Sequence, residues 1–172
     1  YRKKWTIAVN ISAKQFHESN FVSLIMKVLA ETSAPPNKLR LELTESMLHR
    51  DLDQTVLKMQ ELQGHGVRFS LDDFGTGFSC LNYLRRLPVN ILKIDQSFVR
   101  DMQSDEASLA IVSYIIRLAQ SLGMDTIAEG VETSNEMTLL VNEGCRLMQG
   151  YHFSKALPPA QFDAWLAQWS AR

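Results

Sequence analysis

Short apolar runs alternate with amphipathic stretches along the whole chain, and each apolar run closes on a residue able to bind a metal, a proton or a phosphate. The runs cover positions 6–10, 39–44, 67–72, 91–94, 126–128 and 145–148. Their closing residues are Asn10, Glu42, Asp72 with Asp73, Lys93, Glu129 and Gln149. The stretches between them carry helical spacing. Phe21, Leu24, Ile25, Val28 and Leu29 form one apolar face, and Asp51 caps a helix bearing Leu52, Val56, Met59 and Leu62. A short helix spans 81–87, the longest runs over about 105–122, another lies near 135–141, and Pro158 and Pro159 open a last one with Phe162, Trp165 and Leu166 inward.

Strict βα repetition implies parallel strands with helices outside them. A doubly wound sheet and a (β/α)8 barrel both satisfy it. In an open sheet the ligand sits at the switch point, so only two or three strands supply its contacts. In a barrel every strand end converges on one mouth. Six consecutive strands ending in polar groups therefore point to α/β architecture of the TIM-like (β/α)8 kind, with about six βα units in this chain. Parity agrees: Leu39, Leu41 and Leu43 alternate with Arg40 and Glu42, and Lys93 lies between Leu92 and Ile94. A charged alternant in a buried strand must face a polar mouth or be costly. A barrel of this type typically needs about 250 residues. The 172 residues are thus expected to form one domain, 1–172, lacking its N-terminal strands, with an open sheet edge beside positions 6–10.

The balance of 18 Lys+Arg against 19 Asp+Glu gives no basic footprint for polymer nucleic acid. A small anion held by a few placed cations remains compatible with it. Cys80 and Cys145 lack the spacing of a metal knuckle or redox pair, which fits thiols in a reducing cytoplasm. No apolar run reaches the length of a membrane span, so no direct membrane contact is expected of this domain, although a parent protein with a membrane anchor is compatible with it.

Glu42, Asp72, Asp73 and Glu129, with Asn10, are oxygen donors on four strand ends. Four like charges in one cavity call for cations at neutral pH. An oxygen set without His or Cys suits two Mg²⁺ or Mn²⁺ ions better than zinc. Adjacent strand residues face opposite sides, so Asp72 and Asp73 are expected to share a site only where the strand has just ended, at the glycine-bearing break after Phe74. One bridging and one terminal carboxylate suit ions about 3.5–4 Å apart in phosphoryl chemistry. Lys93 either orients the attacking water and offsets phosphate charge, or forms a structural salt bridge to Asp95 or Glu129.

Asn10-Ile-Ser12 with Gln15-Phe16, Glu42-Leu-Thr-Glu45, Asp72-Asp-Phe-Gly75 through Ser79, Lys93-Ile-Asp95, Ala128-Glu-Gly-Val-Glu-Thr133 and Gln149-Gly-Tyr151 resemble, in order, the motifs of the EAL family. The resemblance implies hydrolysis of cyclic di-GMP to linear pGpG. It implies Asn10, Glu42, Asp72, Asp73 and Glu129 as metal ligands with Asp72 bridging, and Lys93 assisting the water. It places Glu132 and Gln149 in the inner hydrogen-bond shell. Glu45 would steady the loop from Asp73 to about Ser79, which in the family couples homodimer formation to catalysis. The helix over 107–122, polar at Ser113, Arg117, Gln120 and Ser121, suits deep burial or a dimer contact. Fusion to sensory or other signalling domains is expected. Two departures stand out: Ala156 replaces a usual proline, and the Glu-Ala-Leu triplet, whose glutamate is a metal ligand, does not occur. The alternative to an enzyme is a catalytically impaired cyclic di-GMP receptor or interaction module.

Overall fold

The structure, a computed structural model, describes residues 5–49, 51–76 and 81–169. Its frame is one parallel sheet of six strands: β1 (Ile7–Asn10), β2 (Leu39–Thr44), β3 (Arg68–Phe74), β4 (Ile91–Ile94), β5 (Asp125–Ala128) and β6 (Leu147–Met148). The strands lie side by side in chain order without a reversal. A doubly wound sheet must reverse order at its switch point. The observed order is that of a barrel wall, here a curled half-barrel with helices on its outside. β1 and β6 form its two edges and do not pair with each other.

The helices are α1 (Ala13–His17), α2 (Phe21–Thr32), α3 (Leu52–Gly64), α4 (Leu81–Leu84), α5 (Gln96–Asp101), α6 (Glu106–Ser121), α7 (Ser134–Glu143) and α8 (Pro159–Trp169). Asp51 caps α3 through its carboxylate, as the sequence predicts, and Asp105 caps α6 in the same way. The core lies between the sheet and this helical layer: Leu41, Leu43, Phe69, Leu71, Leu92 and Ile94 meet Met59, Leu62, Val112, Ile115 and Ile116, all fully or almost fully buried. Those strand positions alternate with the polar ones, which is what turns Glu42, Ser70 and Lys93 to the concave side.

Two helices depart from the expected faces. On α2, Phe21 and Leu29 are buried with Val22, Ile25 and Met26 packed beside them, whereas Leu24 and Val28 point to solvent. On α8, Trp165 and Leu166 are half-buried, but Phe162 is 43% exposed and stacks on the Trp165 ring. At the β1 edge, Ile7 is 69% exposed on the face that helices cover elsewhere in the sheet. Helix α6 buries Ser108, Val112, Ile115, Ile116 and Ala119 and leaves Ile111 and Tyr114 exposed.

Candidate metal centre at the mouth of the sheet

Register aligns the polar strand ends. Asn10 ends β1 beside Glu42, and Glu42 lies beside Ser70 of β3. Lys93 on β4 projects into the concave face at 3% exposure. Its ammonium meets Glu42 at 2.6 Å, Glu129 at 2.7 Å and Asp72 at 3.0 Å. The ammonium donates to Glu42 and forms ion pairs with Glu129 and Asp72. The salt bridge to Glu129 anticipated from the sequence is thus present. Asp95 is engaged elsewhere: its carboxylate caps α5, accepting from the Ser97 backbone and hydroxyl.

Asp72 and Asp73 reach the site by a different route from the one expected. The strand does not stop at Asp72. β3 continues to Phe74, with a register shift against β4 between Leu71 and Phe74. Asp73 sits in the left-handed region at φ 53°, where non-glycine residues are uncommon. A bulge re-aims a side chain without ending the strand. Carboxylate oxygens of Asp72, Asp73 and Glu129 consequently lie within 4.8 Å of one another.

Electrostatics at this cluster are strained. Burial pushes the Glu129 carboxyl up to about 7, and its bonds to Lys93 only partly oppose this, while Asp72 adds to it. Asp73 is raised by burial, by Asp72 and by Asp95. Burial alone would lower Lys93, but its interactions with the Glu129 and Glu42 carboxylates outweigh that and hold the ammonium charged. Carboxylates held above their ordinary range by burial and by one another are the counterpart of a cation site. The donors are all oxygens, so the set fits a hard divalent ion.

The remaining expected residues fall around this centre. Glu42 is not among the three clustered carboxylates; Lys93 and Ser70 hold it one step away. Glu45 is buried and its Oε2 accepts from the Gly75 backbone N–H at 3.3 Å, just after Asp73. The loop residues 77–80, including Ser79 and Cys80, lie outside the described residues. Glu132 and Gln149 line a cavity of about 280 Å³ together with Asp73, Asp95, Glu129 and Tyr151. The sequence reading missed the place of Asp95 on that wall and of Ser70 beneath Glu42. The inward parity of Ser70 with Glu42 was the available signal for the second.

Several motif residues serve geometry. Ser12 and Gln15 form a capping box that starts α1 directly after Asn10 and Ile11. Thr133 and Glu136 form another at α7, and the Glu136 carboxylate also accepts from the Glu132 backbone N–H at 2.7 Å. Gly150 passes so close to Val131 that a Cβ would lie 2.1 Å from its carbonyl oxygen. The turn after Gln149 therefore admits only glycine.

Comparison with known proteins gives the same direction. The EAL domain family profile matches residues 2–156. The bifunctional diguanylate cyclase/cyclic di-GMP phosphodiesterase MucR of Pseudomonas aeruginosa is 41% identical over 163 residues, 95% of this chain and 24% of MucR. The solved phosphodiesterase part of MucR in complex with c-di-GMP superposes with a TM-score of 0.89 at 41% identity, covering 92% of this chain and 64% of that one. The manganese/cy-diGMP complex of BlrP1 from Klebsiella pneumoniae gives 0.82 at 32% identity over 90% of this chain and 40% of that one. The chain spans about a quarter or less of the curated relatives it matches.

Proposed function

The chain belongs to the EAL domain family, and from that premise we propose that it forms most of a metal-dependent phosphodiesterase domain that hydrolyses cyclic di-GMP to linear pGpG. The observation that carries this reading is the convergence of Asp72, Asp73 and Glu129 around a lysine at the open end of the sheet. Asn10, Glu42, Asp72, Asp73 and Glu129 would hold two Mg²⁺ or Mn²⁺ ions. Such ions, when bound, supply charge neutralisation at the phosphodiester and lower the cost of ionising water. MucR and BlrP1 complexes support the ligand class, and the manganese in the latter supports the ion class.

The chain's own residues then divide the work. Lys93 stays protonated, balances the carboxylates it pairs with, and would assist the attacking water from that position. Glu45 holds the backbone at Gly75 and so the approach to Asp73. Glu132 and Gln149, on the cavity wall, offer polar groups to the substrate's phosphate and ribose. Assignment of 1–172 to one domain whose first strands lie upstream, homodimer formation, and fusion to signalling domains in the cytoplasm belong to the same proposal.

The test is incubation of the parent protein with cyclic di-GMP and Mn²⁺ or Mg²⁺, followed by chromatography. Accumulation of pGpG is expected, and Asp72→Asn is expected to abolish it with an unchanged circular dichroism spectrum. Binding of cyclic di-GMP without turnover by the unsubstituted protein would replace the enzyme reading with the receptor one.

A further inference from the structure

We propose that Ser70 is a positioning residue of this centre: its hydroxyl fixes the rotation of the Glu42 carboxylate and, through Glu42, the place of the Lys93 ammonium. The inference deepens the metal-site reading above and rests on it for its link to ion binding. The β2–β3 register sets Glu42 and Ser70 side by side on the concave face. Ser70 is completely buried, and its Oγ donates to Glu42 Oε1 at 3.1 Å. Glu42 Oε2 takes the Lys93 ammonium at 2.6 Å. The two oxygens of one carboxylate are thus held by different donors on different strands.

A carboxylate's terminal torsion is soft and broad when nothing holds it. Here the Lys93 contact alone leaves Glu42 free to pivot about the bond it shares with that ammonium. The Ser70 hydroxyl removes this freedom. Without it, Oε1 would sit in a nearly sealed position lacking a donor, which a buried acceptor tolerates poorly. The carboxylate would turn to recover one, and the nearest strong donor is Lys93. That movement redistributes the ammonium among Glu42, Asp72 and Glu129, two of which belong to the clustered carboxylates. A serine that merely fills space makes a different prediction, because alanine fills almost the same volume.

The experiment uses the parent protein in metal-free buffer, with NMR of the Glu42 carboxyl carbon and the Lys93 ammonium nitrogen, and titration with Mn²⁺. Ser70→Ala should move both signals and weaken Mn²⁺ binding about 10- to 100-fold, the usual effect of losing a partner behind a ligand. Ser70→Thr keeps the hydroxyl and should return the signals toward those of the parent chain. Signals unchanged in Ser70→Ala, unchanged Mn²⁺ affinity in that variant, or a Ser70→Thr chain indistinguishable from Ser70→Ala would each overturn the proposal. Absence of Mn²⁺ uptake by the unsubstituted parent protein would instead remove the metal reading, and the two signals would still decide the role of Ser70.

Discussion

At the scale of single residues, the charge at the mouth turns on Lys93, whose ammonium is shared by Glu42, Asp72 and Glu129 within 3.0 Å. Removing one partner of a buried ion pair leaves the others uncompensated, at a cost of about 3–5 kcal/mol. Lys93→Met is therefore expected to lower the unfolding free energy of metal-free protein by about that amount at pH 8. The loss should shrink at pH 5, where Glu129 has taken up its proton; urea unfolding at both pH values measures it. Glu129 adds a second pH dependence. Its folded value of about 7 lies above that of an ordinary carboxyl, so its proton is bound more tightly in the folded state. Its contribution to metal-free stability is complete below the ordinary carboxylate range and is lost as pH rises through about 7. Asp73, shifted the same way, reinforces the trend. A divalent ion must displace the Glu129 proton, so Mn²⁺ affinity should rise between pH 6 and pH 8 with proton release. Calorimetric titration in two buffers of different ionisation heat checks this, and Glu129→Gln should remove the released proton. Every clustered carboxylate was legible in the sequence as a strand-end residue; the sharing of one ammonium by two of them and Glu42 was not, because it depends on distances across strands.

At the scale of elements, the β3 bulge and the two capping boxes place the chemistry. The Asp72–Asp73 pair was legible as a pair, but its solution was misread as a strand ending. A bulge with one residue at positive φ leaves no compositional mark when that residue is aspartate, which tolerates the left-handed region better than most. The caps at Ser12 and Thr133 begin helices just after Asn10 and Glu129, so the strand ends cannot drift. Gly150 has the tightest environment of these junctions. Gly150→Ala is expected to destabilise the fold by about 1–3 kcal/mol, the range for forced overpacking, and to displace the turn that carries Gln149. A lowered melting temperature together with weakened cyclic di-GMP binding would show both effects; unaltered melting would refute the packing argument.

At the scale of the whole molecule, six parallel strands in chain order form a wall open at β1 and β6. A cavity of about 760 Å³ runs from Trp5 and Thr6 on one side to Leu147, Met148 and Trp165 on the other. Open edges and an unfilled interior leave backbone groups and apolar side chains in water. The 172-residue chain alone is accordingly expected to hydrolyse cyclic di-GMP far more slowly than the parent protein, in a side-by-side assay at equal concentration. Equal rates would show that the half-wall suffices for catalysis.

The sequence by itself determined the βα order, the parity of each strand and the identity of nearly every group at the mouth, because alternation and strand ends are local properties of a chain. It also carried the family resemblance that the profile match supports. Tertiary structure alone decided that Lys93 binds three carboxylates at once, that Asp73 turns inward through a bulge, that Glu42 is held behind the cluster by Ser70, and that Leu24, Val28 and Phe162 face water. Those outcomes depend on which strands become neighbours and on which faces find nothing to pack against, and neither is encoded in the spacing of residues along one element.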